Sequence, residues 1–110
     1  MAEAYSDQAA IDLNLTFSNI EETTEMILMQ NSPNPWSENT EITYYLPQAI
    51  PATLSIYDIS GRLVYKEEKI GSQGLNTVML DKESLNAQGI LYYELVTENG
   101  RKIQKMILME

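Results

Sequence analysis

The stretch Thr53–Lys66 constrains the fold most, because its pattern predicts two strands joined by a tight turn. Leu54 and Ile56 alternate with their neighbours, and a period of two places both side chains on one face of a sheet. Between the two strands, Asp58 suits the first position of a type I turn, and Gly61 suits the positive φ that closes a short hairpin loop. The centre of the chain is therefore expected to be a β-hairpin.

Similar short segments, separated by Gly, Pro, Asn and Asp, occur between residues 26 and 109. The further predicted strands are Met26–Gln30, Asn39–Leu46, Leu75–Leu80, Ile90–Thr97 and Arg101–Met109. The side chains expected to face the core are Ile42, Tyr44, Leu46, Leu54, Ile56, Val64, Val78, Leu80, Leu91, Tyr93, Leu95, Met106 and Leu108. Val64 is included on the assumption that a bulge at Gly61 sets the phase of the returning strand.

About seven short strands with turn residues between them are typical of an all-β chain. An immunoglobulin-like antiparallel β-sandwich is the predicted architecture, with a partly open barrel as the alternative. The pair Asn99-Gly100 favours a tight hairpin between the last two strands.

Two segments are predicted to be irregular. Asn31–Trp36 contains two prolines, which remove backbone donors, so this stretch cannot lie in the middle of a sheet. Trp36 is expected to anchor it, with the indole N–H bonded to a loop carbonyl. Within residues 81–88 a single helical turn is expected, with Asp81 as its N-cap and Leu85 closing the end of the core.

The first residues differ from the rest of the chain. Alternating apolar residues between Ile11 and Phe17 predict one strand, and Asn19–Glu25 is polar and acidic, as linkers are. We therefore interpret residues 1–24 as a linker or the tail of a preceding domain, with an extra edge strand of the same sheet as the alternative, and residues 25–110 as the sandwich. Met1–Ala4 lacks the features of a signal peptide, so the protein either stays inside the cell or derives from an exported precursor.

Charge and composition exclude several classes of function. Sixteen acidic against seven basic residues give a net charge of −9, which disfavours nucleic-acid partners and anionic membranes. The chain has no cysteine and no histidine, so thiolate metal sites and the commonest general base are absent. The remaining candidate carboxylates, Asp58, Asp81 and Glu83, are interpreted as turn, cap and solvated residues. No cofactor, metal site, membrane insertion or catalytic activity is expected.

Tyrosines offer one alternative function. Six of them could form an aromatic platform for glycans: Tyr44, Tyr45, Tyr57, Tyr65, Tyr92 and Tyr93. Tyrosines at alternate strand positions more often pack across strands, and packing is the favoured interpretation.

Several ordered stretches carry a resemblance to a known family. They are Asn31–Trp36, Thr40–Pro47, Ile56–Val64, Gly89–Tyr93 and Lys105–Leu108. In this order they resemble the C-terminal sorting domain of cargo proteins of the type IX (Por) secretion system of Bacteroidetes. The resemblance covers about residues 26–110 and implies an immunoglobulin-like fold.

What the resemblance implies about function is an address label on a larger secreted protein. Its implied partners are an outer-membrane translocon, a sorting peptidase that cuts between residues 19 and 25, and a cargo domain upstream. The implied location is the cell surface or the medium, reached through the periplasm. The residues that match the sorting motifs are Pro33, Asn34, Pro35, Gly61, Gly89, Lys102 and Lys105.

The chain departs from the family pattern at two positions. Leu91 stands where the family usually has tyrosine, which we interpret as an exchange of one large apolar side chain for another, and Glu110 stands where the family often has lysine. A last strand at a sheet edge would expose backbone donors and acceptors for strand addition, and Arg101–Met109 is expected to fill that role. The alternatives are an ordinary closing strand, a surface module that binds glycans or proteins, and a passive spacer.

Overall fold

Alternating apolar and polar residues organise the chain into two facing antiparallel sheets. A computed structural model describes residues 25–110. The strands of this part are β1 (Ile27–Leu28), β2 (Asn39–Leu46), β3 (Pro51–Asp58), β4 (Leu63–Ile70), β5 (Gly74–Asp81), β6 (Gly89–Thr97) and β7 (Gly100–Leu108). One sheet has the order β1-β2-β5 and the other the order β4-β3-β6-β7. The predicted all-β sandwich is confirmed, and the alternative of a partly open barrel is wrong.

The core lies between the two sheets and contains the residues that the alternation predicted. On β2, β3, β5, β6 and β7, every predicted core side chain is at most 5% exposed. Leu85 is 2% exposed and closes one end of the core, as expected. Leu91, the departure from the family pattern, is fully buried, so a large apolar side chain fills that position.

The central hairpin closes as its sequence predicts. The carboxylate of Asp58 accepts hydrogen bonds from the backbone N–H groups of Ser60 and Arg62 at 3.0 and 2.9 Å. The Gly61 N–H donates to the Asp58 carbonyl at 2.9 Å, and Gly61 has a φ of +91°. Hydrogen bonds to the carboxylate, first of all from the Ser60 hydroxyl, lower the pKa of Asp58 from 3.8 to about 2.

The register shift in this hairpin lies at a different residue from the one expected. Ile56 pairs with Tyr65 and Tyr57 pairs with Leu63, so Val64 is the extra residue of the bulge. Val64 is consequently only partly buried, and Tyr65 packs against the core beside it.

Two local predictions were wrong in their hydrogen bonds. Trp36 is 1% exposed and anchors its segment as expected, but its indole N–H is buried without a partner in the described part of the chain. The helical turn is a 3-10 turn at Lys82–Ser84, and Asp81 makes no side-chain cap bond to it. Asp81 does stand at the N-cap position, as the last residue of β5, with an extended backbone that pairs with Asn39.

The predicted strand at Ile11–Phe17, and the linker up to residue 24, lie outside the described residues. Within residues 25–110, no helix has the length and apolar character needed to span a membrane.

Candidate functional site

The last strand, β7, lies at the edge of the four-stranded sheet and pairs along its length with β6. In an antiparallel pair, the backbone groups of successive residues point alternately towards the partner strand and away from it. Ile107 points away, because its N–H and C=O both bond outside the sheet. By alternation, the backbone groups of Arg101, Ile103 and Lys105 also point away from β6.

The second half of this edge is covered by the proline-containing segment Asn31–Trp36. The side-chain oxygen of Asn34 accepts a hydrogen bond from the Ile107 N–H at 2.9 Å. The Trp36 N–H donates to the Ile107 carbonyl at 3.0 Å, and the Met109 N–H donates to the Trp36 carbonyl at 2.7 Å. Trp36 thus bridges to β7 in parallel orientation, although no ladder forms there.

The coverage begins at the carbonyl of Lys105, which accepts a hydrogen bond from the Gln30 side chain at 2.8 Å. The start of β7 is not covered in this way. Within residues 25–110, no hydrogen bond is made by the outward groups of Arg101 and Ile103 or by the N–H of Lys105. The expectation that Arg101–Met109 offers one continuous open edge is therefore wrong for its second half. We call Arg101–Lys105 the open half of β7 and Met106–Met109 the covered half.

A buried polar network fixes the covering segment on its inner side. The Asn31 N–H donates to the hydroxyl of Tyr93 at 2.8 Å, and that hydroxyl donates to the Met29 carbonyl at 2.7 Å. The Asn31 side chain donates to Thr40 at 3.0 Å and to the Pro33 carbonyl at 3.1 Å. Burial raises the pKa of Tyr93, so its hydroxyl stays protonated and keeps its role as a donor.

Sequence reasoning missed this network. Asn31 and Tyr93 are 62 positions apart, and no local pattern indicates that they meet. The sequence offered one indication, the need of buried polar groups for hydrogen-bond partners. This need applies both to an asparagine beside a rigid proline turn and to a tyrosine at an inward-facing position.

The residues predicted from the sorting motifs fall into two groups. Pro33, Asn34 and Pro35 lie in the covering segment on one side of β7, and Gly89 lies on the other side, where it pairs with Leu108. Lys105 marks the boundary between the two halves.

Gly61 and Lys102 lie apart from that group. Gly61 is in the β3–β4 loop, at the same end of the sheet as Gly89 but two strands away from β7. Lys102 pairs with Leu95 in the open half, and its side chain points to the face of β7 opposite to that of Lys105. The structure therefore gathers only part of the predicted set around one site.

Positive charge is concentrated on β7. The strand carries three of the chain's seven basic residues and no acidic residue. Arg101 forms an ion pair with Glu94 at 3.2 Å, whereas Lys102 and Lys105 form none within residues 25–110. No group of acidic residues that could hold a metal ion occurs in this part of the chain.

The tyrosines do not form an exposed platform. Tyr44, Tyr45 and Tyr93 are at most 3% exposed, and Tyr92 is the most accessible of the six at 38%. Burial is also the first cause of the raised pKa of Tyr44. The interpretation that the tyrosines pack is confirmed for Tyr44, Tyr45 and Tyr93, and Tyr65 also packs against the core.

Comparison with models of known protein families gives a match over residues 32–109, to the family described as the secretion system C-terminal sorting domain. The chain belongs to this family. The match runs from Ser32, the second residue of the covering segment, to Met109, at the end of the covered half, so it includes both halves of β7 and most of the covering segment. None of the curated proteins compared with the chain matches it.

Membership in this family identifies a sorting signal of the type IX secretion system. Proteins with such a sorting domain are exported to the cell surface or secreted, and the domain itself is generally non-catalytic. In this sorting domain, the covering segment and the last strand are in direct hydrogen-bonded contact.

Proposed function

We propose that residues 25–110 direct an attached cargo protein across the outer membrane through the type IX secretion translocon, and that the domain catalyses no reaction. The observation that carries this proposal is the family match over residues 32–109, which includes both the proline segment and β7. The edge position of β7 supports it, because a strand with unpaired backbone groups is a ready template for recognition.

The contacts of the covering segment explain how such a signal would be presented. Asn34 and Trp36 hold the covered half in place, and Met106 and Leu108 are anchored in the core at 0% and 2% exposure. The open half is thereby held extended next to a rigid neighbour. A translocon subunit would meet a strand that is already ordered, which lowers the conformational entropy lost on binding.

The domain division follows from the same proposal. Residues 1–24 would join the sandwich to its cargo, and a sorting peptidase would cut between residues 19 and 25. Glu25 is the first described residue, and Met26 is already fixed against the fold, since its sulfur accepts a hydrogen bond from the Thr97 hydroxyl at 3.2 Å. This contact supports the assignment of Met26 to the sandwich domain.

The test is an export assay in a host that has this secretion system. A reporter with a signal peptide is fused in front of residues 25–110, in front of residues 1–110, or to no domain. Both fusions are expected to carry the reporter to the cell surface or the medium, while the reporter alone stays in the periplasm.

A reporter that stays in the periplasm behind a folded, protease-resistant domain would contradict the proposal. Export with residues 1–110 but not with residues 25–110 would contradict the boundary alone.

A further inference from the structure

The open half of β7 is a short and well-delimited edge. From Arg101 to Lys105 it spans about 13 Å, the length of four strand steps. Its central outward groups are the N–H and C=O of Ile103, which have no partner within residues 25–110. The open edge ends at Lys105. The Gln30 side chain donates a hydrogen bond to the Lys105 carbonyl, and the next outward N–H, that of Ile107, donates to the Asn34 side chain.

Two lysines flank these groups on opposite faces of the strand. Lys102 points to one face and Lys105 to the other, both are exposed, and neither forms an ion pair in the described part of the chain. Outside β7 the chain has four basic residues, seven minus three, against sixteen acidic ones. The open half is therefore a local positive site on an acidic protein.

The outer face beside this edge is partly apolar. Ile103 is 52% exposed, and Tyr92, which pairs with Lys105 on the neighbouring strand, is 38% exposed. An added strand would cover part of Ile103 and gain stability from apolar burial as well as from backbone hydrogen bonds.

We propose that the open half of β7 binds an extended acidic segment of a partner protein by strand addition, with a footprint that ends at Lys105. This inference rests on the proposed function and names the chemistry of the partner. Backbone groups of the partner would pair with those of Ile103, and carboxylates on the two faces of the added strand would meet Lys102 and Lys105.

Strand addition to the covered half is blocked, because Asn34 and Trp36 already occupy the outward groups of Ile107. The chain's own first 24 residues, which hold five acidic and no basic residues, are the obvious competitor for the same edge, and the test below distinguishes them from a partner protein.

The direct test is a titration of the complete chain, followed by amide NMR. The probe is a peptide of about eight residues, a common strand length, in which pairs of Glu separated by single Val residues place carboxylates on both faces. We expect it to shift the amide signals of Arg101–Lys105 and to slow exchange of the Ile103 N–H, with an effect that weakens as salt is added. A control peptide with Lys in place of every Glu is expected to bind at least about tenfold more weakly.

Three results of this titration would overturn the inference. They are equal binding of the two peptides, shifts centred on another strand, and an Ile103 N–H that is already protected before peptide is added. The last result would show that the chain's own first residues or a second copy of the chain occupies the edge.

A substitution at Ile103 links binding to export. Proline is tolerated at an edge position whose N–H faces solvent, so Ile103→Pro removes the outward donor and no hydrogen bond to β6. Ile103→Thr keeps the donor and is the matched control. We expect Ile103→Pro to lose peptide binding and reporter export, whereas Ile103→Thr keeps both.

Charge reversal gives a second test that does not depend on tolerance of proline. Lys105→Glu is expected to weaken binding of the acidic peptide by at least about tenfold. Lys66→Glu, on the opposite edge strand β4, makes the same change in net charge and is expected to have no effect.

The two proposals fail in different ways. If the wild-type fusion is exported while Lys105→Glu and Ile103→Pro are exported equally well, this inference is wrong and the sorting function stands. If the wild-type fusion is not exported, the sorting function is wrong whatever the peptide does.

Discussion

The two halves of β7 differ in almost every property, although they belong to one continuous strand. In the covered half, Met106 and Leu108 are anchored in the core, and the outward groups of Ile107 are bonded to Asn34 and Trp36. In the open half, Arg101, Lys102 and Ile103 are exposed, and the outward backbone groups of Arg101 and Ile103 have no partner in the described structure. The difference indicates that one half stabilises the domain while the other is available for recognition.

This division has a physical cause in the covering segment. Two prolines stop Asn31–Trp36 from continuing as a strand, so only one side chain and one residue's backbone reach β7. A regular strand in the same place would have closed the whole edge. The proline segment thus protects the covered half of β7 and sets where the open half ends.

The largest expected effect comes from removing the anchor of the covering segment. Trp36→Ala deletes a side chain that is 1% exposed, and such truncations cost about 3–5 kcal/mol of unfolding free energy. Chemical denaturation would measure the loss. A change below about 1 kcal/mol would contradict the view that the covered half depends on this segment.

The next effect compares the two halves directly. Met106→Ala removes a fully buried side chain and is expected to cost about 2–5 kcal/mol, whereas Ile103→Ala is expected to change stability by no more than about 0.5 kcal/mol. Both are measured by denaturant unfolding. Equal losses at the two positions would break the comparison, because they would show that the open half is also packed.

A smaller effect concerns the single side-chain bond on the covered edge. Asn34→Ala removes the acceptor for the Ile107 N–H and is expected to cost about 0.5–1.5 kcal/mol and to speed exchange of that amide. Asn34→Asp keeps an accepting oxygen and is the matched control, with exchange close to that of the wild type. Fast exchange of Ile107 in both variants would show that the acceptor does not determine protection.

Much of this architecture could be predicted from the sequence, because alternation over eight or nine residues decides which face of a strand is buried. The inward positions of β2 and β6, and the turn at Asp58 and Gly61, follow from local patterns alone. Family resemblance supplied the sorting function, which no single residue indicates.

The rest depends on contacts between distant residues. No pattern indicates that Asn34 meets Ile107, 73 positions away, or that Asn31 meets Tyr93. The expectation of a fully open last strand was wrong for this reason, since edge coverage is a property of the tertiary structure. The unpaired indole N–H of Trp36 also could not be foreseen, because packing of the ring outweighs a missing hydrogen bond there.

The smallest expected effect is at Asp58 in the β3–β4 turn. This residue lies away from both halves of β7 and serves as a reference for them. Because hydrogen bonds lower the pKa of Asp58 to about 2, its ionised form stabilises the folded state. This contribution is complete above the ordinary pKa of 3.8 and is lost as the pH falls through about 2. Asp58→Asn is therefore expected to unfold more easily than the wild type at neutral pH, and the two thermal midpoints are expected to converge near pH 2.

The same variant also checks the independence of the β3–β4 turn. Asp58→Asn is expected to leave amide exchange unchanged in both halves of β7. Faster exchange at Ile107 in this variant would show that the turn and the covered half unfold together.

The most direct test of the divided strand is amide hydrogen exchange along β7 in the complete, unmodified chain. We predict that the N–H groups of Ile107 and Met109 exchange at least about tenfold more slowly than the outward N–H groups of Ile103 and Lys105. Equal protection of all four amides would contradict the account, since it would mean that the edge has no open half.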